Sequence, residues 1–600
     1  MLNKTIPCAL IASFLSGLVG CATRPASRST ITLHPRTFCN PMNLDYAYTP
    51  IPGAYEKAPH RATADPVIVR YHGDYYLFST NQWGYWWSPD LVTWNFVTRR
   101  FLKPQHKVFD ELCAPAAWVM NDALCVIGST YTTDFPIWTS RNPKVNDWSE
   151  LIPGCELAAW DPAFFVEDDG RVYAYWGSNN RKPLFGVEVD RHTMRPIGEP
   201  REMIGLHPDI HGWERFGEAN DNTWLRPFIE GAWMNKHNGR YYLQYGAPGT
   251  EFSGYGDGVY VGDKPLGPFT YQAHNPFSYK TGGFARGAGH GSSFEGNNGD
   301  WWHVATIAIG VKDNFERRIG LWPAGFDADG VMYCDTAYGD FPLYAPPADG
   351  KRSGSRRPGW MILNYARPAR ASSTLGGHTP NFAVNEDIKT YWSAKTSRAG
   401  EWFESDLGAR QRVCAIQINY ADQDATFIGK ASGPGICHQY RLLASLDGEH
   451  WDVIVDKSAS VADTPHDYVE LTEPIDARFV RIENVHVPTG KFALSGLRVF
   501  GTGYGDPPPA VEGFSAFRGV SEPRNAWLKW QTVNAATGYV IYAGVDASKL
   551  YTSVMVLGAN DYYFRALDRD KPHYFQIEAF NENGVSSRSD IVKAGPADTD

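Results

Sequence analysis

Three carboxylic acids and a histidine occupy matching places in a segment that recurs along this 600-residue chain: Asp65, Asp161, Glu230 and His290. Each stands eight or nine residues before a tight-turn position, and a further copy carries Ala114 at the same place. Carboxyl groups gathered in one pocket cannot all ionise cheaply, so at least one keeps a raised pKa that chemistry can use. Two such groups held apart are the minimum equipment for splitting a glycosidic bond. One must be neutral to protonate the leaving oxygen, and the other ionised to activate water or attack carbon. A third can keep the acid protonated by like-charge repulsion and orient it. Taken singly, each residue reads as a turn or strand-capping acid. Three in register ask for a common cause.

That cause is a repeated strand pair. The copies are ADPVIVRYHGDYYLFST (64–80), CAPAAWVMNDALCVIGST (113–130), WDPAFFVEDDGRVYAYWGS (160–178), IEGAWMNKHNGRYYLQYGA (229–247) and GHGSSFEGNNGDWWHVAT (289–306). Their centres, HGD, ND, DDG, HNG and NNG, supply the positive-φ positions of tight hairpins. Spacings of 48 to 69 residues between turn positions leave room for two more strands per unit. Four-strand units at this period predict a β-propeller, here of five blades. Equivalent positions on the innermost strands then ring one axis, so residues spread over 225 positions should converge. Trp83, Trp118, Trp160 and Trp233 sit near the same strand ends as candidate sugar-stacking rings; Trp83, after the end of a strand in STNQWGY, is the strongest of them.

Composition fits strands joined by tight turns, with flat apolar rings that suit sugar faces. Hydrophobic residues make up 43% and charged residues 20%, enough for packed cores and too apolar for disorder. A net charge of −10 excludes a basic nucleic-acid binder. Aromatics at 14% with 58 Gly and 41 Pro suit strands and turns rather than a helical bundle. The opening MLNKTIPCALIASFLSGLVGCATRP reads as an export signal too short and broken to span a membrane. Its Leu18-Val19-Gly20-Cys21 resembles a bacterial lipobox. That implies a mature lipoprotein anchored at Cys21, periplasmic or at the surface of a bacterial outer membrane. Seven later cysteines lack zinc-site spacing; Cys414 and Cys437 share a domain and are candidates to pair.

The motifs ADPVIVRYHGDYYLFST, SPDLVTW, AAWDPAFF, FIEGAWM and GAGHGSSF resemble, in this order over about residues 45–345, glycoside hydrolase family 43, inverting enzymes on a five-bladed propeller. The resemblance implies Asp65 as general base, Asp161 as the orienting, pKa-modulating acid and Glu230 as general acid. It implies His290 as a residue that helps hold Ca²⁺ near the axis, and Arg317 as a sugar contact with Arg318 the alternative. Cys113-Ala114-Pro115 departs from the usual Trp-Ala-Pro. The segment carrying His207, Asp209, His211, Trp213, Glu214 and Arg215, with HNPFSY (274–279), is expected to form a rim that closes a pocket and favours exo action.

Beyond a basic Gly/Pro/Ser linker at 346–360, residues 362–501 resemble a discoidin (F5/8 type C) jelly-roll, whose AVNEDIKTYW loop implies a structural Ca²⁺ held mainly by backbone oxygens. Residues 508–597 resemble a fibronectin type III sandwich, read as a spacer. The functional expectation is an inverting exo-glycosidase on oligosaccharide or polysaccharide side chains. An α-L-arabinofuranosidase comes first, with β-D-galactofuranosidase or β-D-xylosidase as alternatives within the family. Two other classes compete: a non-catalytic carbohydrate-binding lipoprotein, and an adhesion protein.

Overall fold

The computed structural model describes residues 36–49, 59–80, 82–102, 112–130, 132–346, 355–429 and 435–595. The export segment with Cys21 lies outside them. The described chain is all-β: strands joined by turns, with three short 3₁₀ turns. Among the described residues no helix is long and apolar enough to cross a membrane.

Five antiparallel sheets follow one another between Ala64 and Cys334. Sheet I opens with Ala64–Tyr71, sheet II with Ala116–Met120, sheet III with Ala163–Val166, sheet IV with Glu230–His237 and sheet V with Arg286–Glu295. Each continues through strands paired in chain order, and sheet IV adds Ser278–Tyr279 at its third strand. The repeats dictate this. In sheets I, II and IV the first hairpin turns on two residues with positive φ, His72-Gly73, Asn121-Asp122 and Asn238-Gly239. That is the turn whose twist matches the flanking strands. The opening strand of each sheet touches that of the next, and sheet V returns to sheet I. A cavity of about 690 Å³ lies between these strands, lined among others by Arg70, Val119, Phe165, Trp233 and Glu295, one from each sheet. The large rings mostly fill the core between sheets: Trp86, Trp138, Trp302 and Trp322 are fully buried. Trp118, one of the sugar-stacking candidates, is also core, stacked on Phe164 at 4.2 Å.

Residues Met361–Thr502 form one curved, eight-stranded arrangement around Trp392, Phe403, Ile416, Leu442 and Leu497. Residues Ser515–Ala594 form a three-stranded and a five-stranded sheet. Neither unit hangs free. Cys39, Tyr338 and Phe341 share one apolar cluster with Met361 and Phe500 and with Val540, Tyr542 and Phe580, so all three parts of the chain meet in one core. The segment 501–513 is likewise pinned, with Gly503 N–H on the Glu582 carbonyl and Asn581 Nδ2 on that of Asp506. A mere spacer would not share its core.

The expected rim is a second correction. Trp213, Glu214 and Arg215 are buried, and they form the seat of the C-terminal sheets rather than a pocket wall. Arg215 donates to Asn525 Oδ1 (2.6 Å) and the Arg565 carbonyl (2.7 Å), His211 faces Asp568 at 3.2 Å, and Gly212 N–H bonds the Leu567 carbonyl. The HNPFSY stretch packs there too, its Pro276 carbonyl accepting from Thr552. His211 and Arg215 find their partners on the C-terminal sheets, Glu214 accepts from Tyr245 and the His207 N–H, and His207 and Asp209 stay exposed. All seven described cysteines are free thiols, so Cys414 and Cys437 are not joined.

Candidate active site

Asp65, Ala114, Asp161 and His290 all have left-handed backbone, with φ of 53°, 36°, 51° and 44°. L-residues pay for that conformation, and it survives only where the surroundings impose it. In sheets I, IV and V the cause is a bulge that puts one extra residue on the opening strand, between Ala64 and Val67, Glu230 and Trp233, and Gly289 and Ser292. A bulge re-aims a side chain. By this register the partner of Asp65 and His290 in sheet IV is Gly231 (φ 64°), and Glu230 stands one residue earlier. The missing side chain matters: a Cβ on Gly231 would lie 2.6 Å from His290 Cδ2.

The four chemical groups meet. His290 Nδ1 lies 3.2 Å from Asp65 Oδ1 and 3.7 Å from Asp161 Oδ2. Asp161, Glu230 and His290 each bring a ligand-type atom within 4.8 Å of the others. Arg317 Nη1 reaches Asp65 Oδ1 at 3.8 Å and donates to Thr250 Oγ1 at 2.8 Å, whereas Arg318 turns towards residues 361–502. Trp83 is half-buried, near Arg99 and beside Gly429. Burial drives the Asp161 carboxyl up to about 8; His290 opposes this, and the charges of Glu230 and Asp65 reinforce it. For His290 burial works downward, but Asp65, Asp161 and Glu230 outweigh it and raise its pKa. Burial and the two neighbouring carboxylates thus favour the protonated form of Asp161.

Hydroxyl groups lace the ring of sheets together. Thr80 ends the second strand of sheet I, donates to Asp65 Oδ2 (2.8 Å) and accepts the Ala114 N–H of sheet II (2.6 Å). Ser129 of sheet II accepts the Asp161 N–H of sheet III (2.9 Å), and Ser178 of sheet III donates to Glu230 Oε2 (2.9 Å). Thr306 of sheet V accepts the Asp65 N–H of sheet I (3.0 Å) and closes the circuit. In sheet IV the second strand ends in Gly246-Ala247, and another device is used: Asp257, on the third strand, accepts the N–H groups of His290 (2.7 Å) and Gly291 (2.9 Å), with His303 Nε2 at 3.0 Å. Tyr255 donates to Glu230 Oε1 at 2.6 Å, so both acid oxygens are held. Glu251 lies in the same neighbourhood, pushed up by burial and by Glu230. None of these supporting residues was singled out from sequence. The hydroxyls were legible, since four of five repeats end in Ser or Thr; Tyr255, Asp257 and Glu251 left no comparable signal.

The donor set suits a cation poorly without help. Calcium takes six to eight oxygens, whereas this group offers one imidazole and carboxylates already engaged by Ser178, Tyr255 and Ser129. In the 383–392 loop Glu386 pairs with Arg498 and Asp387 accepts the Lys389 N–H, leaving backbone oxygens as the available donors.

Residues 60–332 match the family model for Glycosyl hydrolases family 43, and residues 368–495 match that for the F5/8 type C domain. The chain thus carries a family 43 domain followed by a discoidin domain. It is 31% identical over 134 residues to a "Beta-xylosidase" of Xylanibacter ruminicola, covering 19% of this chain and 39% of that protein. An "Arabinoxylan arabinofuranohydrolase" of Paenibacillus polymyxa is 29% identical over 194 residues, 30% of this chain and 28% of that one. A "Beta-D-galactofuranosidase xynD" of Aspergillus niger is 30% identical over 224 residues, 36% and 57%. The chain spans about two fifths of the first relative's length.

Proposed function

We propose that this protein is an exo-acting, inverting glycoside hydrolase that releases terminal furanosides, α-L-arabinofuranose first, from polysaccharide side chains. The meeting of Asp65, Asp161, Glu230 and His290 at one point carries this reading. Glu230 gives its proton to the glycosidic oxygen as the C–O bond breaks. Asp65 takes a proton from the water whose oxygen attacks the anomeric carbon from the opposite face. Ser178 and Tyr255 fix Glu230, and Thr80 fixes Asp65. Asp161 orients the acid, and Arg317 meets the sugar beside Asp65. Trp83 is assigned as a sugar contact. Calcium, if bound, is assigned a structural role only, near His290 and in the 383–392 loop.

The ring of sheets is read as a five-bladed propeller over residues 45–345, residues 362–501 as the discoidin unit and 508–597 as a fibronectin type III unit. Cys21 is assigned as a lipid anchor on the outer membrane. The names of the relatives support a glycosidase of pentose or furanoside side chains and keep β-D-galactofuranosidase and β-D-xylosidase as the second reading. Assays on aryl α-L-arabinofuranoside, aryl β-D-galactofuranoside and aryl β-D-xyloside separate the three. Binding of oligosaccharide without turnover of any of them would instead favour a non-catalytic carbohydrate-binding lipoprotein.

A further inference from the structure

Two buried arginines join the candidate site to the discoidin domain. Arg61 stands four residues before Asp65 and is 1% exposed. Its guanidinium forms a two-pronged pair with Asp463, Nη1 to Oδ2 at 2.8 Å and Nη2 to Oδ1 at 2.6 Å, and its backbone N–H donates to Asp422 Oδ2 at 2.9 Å. Arg318 follows Arg317 directly and is 2% exposed. Its Nε donates to His466 Nε2 at 2.9 Å, Nη2 lies 3.6 Å from Asp422, and Nη1 donates back to the Arg61 carbonyl. Burial and both arginines hold His466 well below its usual pKa, so the ring is neutral: Nε2 accepts and Nδ1–H donates to Asn419 (2.8 Å). The circuit ends in the site. Thr63 N–H bonds the Arg317 carbonyl (3.2 Å), and Arg317 and Asp65 face each other at 3.8 Å.

We propose that Asp422 and Asp463 of the discoidin domain are positioning residues for Asp65 and Arg317, so that this domain is a working part of the active site. Arg61 and Arg318 are packed against Asp422, Asp463 and Glu316 in one largely buried cluster. Deleting Asp463 leaves the Arg61 guanidinium only the longer contact to Asp422 (3.7 Å) in a dry seam, and the Arg61 segment, to whose carbonyl Arg318 is bonded, loses its two-pronged anchor. Displacement of a reacting group by an ångström is worth up to about a hundredfold in rate. The inference rests on the assignment of Asp65 and Arg317 to base and sugar contact.

The same seam holds a matched control. Arg498 makes an equally buried two-pronged pair with Glu386 (2.8 and 2.6 Å) and bonds the Asp340 carbonyl (2.6 Å), away from residues 59–66 and 317. The experiment compares Asp463→Asn, Asp463→Glu and Glu386→Gln in the full chain by kcat and KM on the aryl glycoside the wild type cleaves. Melting temperature and hydrogen–deuterium exchange of peptides covering 59–66 and 312–320 are read alongside. Asp463→Asn should lower kcat about tenfold or more and raise exchange in both peptides at temperatures where it is folded. Asp463→Glu should recover much of both, and Glu386→Gln should lower the melting temperature with kcat within about twofold of wild type. Unchanged exchange in a folded Asp463→Asn, or an equal rate loss in Glu386→Gln, overturns the proposal. A wild type inactive on every aryl glycoside refutes the hydrolase reading instead, and the exchange comparison still decides whether the clamp positions these segments.

Discussion

Thr80 holds Asp65 and the neighbouring sheet with a single hydroxyl: it donates to Asp65 Oδ2 at 2.8 Å and accepts the Ala114 N–H at 2.6 Å. The hydroxyl has one proton to give and lone pairs to receive, so both bonds coexist. Thr80→Val keeps the shape, removes both bonds and strands a buried N–H. We expect a loss of about 1–3 kcal/mol in unfolding free energy, measured by urea titration, and a fall in kcat of about tenfold from a loosened base.

The acid and base assignments make separate predictions. Glu230→Ala and Asp65→Ala should each cost on the order of 10²–10⁴ in kcat if the residues transfer protons. Only the Glu230 loss should shrink as the leaving group becomes more acidic, because a good leaving group needs no proton. A series of aryl glycosides of falling phenol pKa reads this directly. Parallel losses for both variants across the series would remove Glu230 from the acid role.

Gly231→Ala tests the bulge. The residue sits at φ 64°, and its new Cβ would lie 2.6 Å from His290 Cδ2 and 3.1 Å from His290 Cα. Strain at a left-handed position costs on the order of 1–3 kcal/mol, and here the neighbour must also move. We expect a lower melting temperature together with a loss of activity. Gly239→Ala, in the turn of the same sheet (φ 77°) with open space around it, should show strain alone and keep its activity.

What could be read before the structure, and what could not, follows from the range of each signal. The placing of Asp65, Asp161 and His290 rested on a local pattern of turn and strand that the backbone obeys, down to a shared left-handed φ. The count that reaches Glu230 slips by one, since Gly231 takes the turning position. Thr80, Ser129, Ser178 and Thr306 stood in the quoted repeats but looked like ordinary strand ends, because a hydroxyl acquires meaning only when the next sheet is beside it. The segment 207–215 was misread for the opposite reason. Its His, Asp, Glu, Trp and Arg suit a pocket rim or a domain seat equally well, and the residues that decide, Asn525, Arg565 and Asp568, lie more than 300 positions away.

Stereochemistry gives a test that no mutant can confound. With the base and acid assigned to opposite faces of the bond, a single displacement by water inverts the anomeric centre, whereas a covalent intermediate would retain it. Proton NMR of the first sugar released, recorded before mutarotation, should show the opposite anomer to the substrate. Retention would demand a carboxylate nucleophile and would sink the assignment of Asp65 as base.

The proton held near Asp161 ties stability to pH. In the folded chain this carboxyl keeps its proton up to about pH 8, whereas an unfolded Asp releases it near 3.9. Between those values the folded state binds the extra proton, so the unfolding free energy falls as pH rises. His290 acts in the same direction, because its raised pKa contributes stability below the unfolded value that is lost as pH climbs through the folded one. Asp161→Asn cannot ionise and escapes the first of these penalties. Its melting temperature should exceed that of the wild type by more at pH 8 than at pH 5, while kcat falls because the oriented carboxyl is gone. A variant whose melting temperature tracks the wild type at both pH values would mean that Asp161 is already ionised at pH 5, paired with His290.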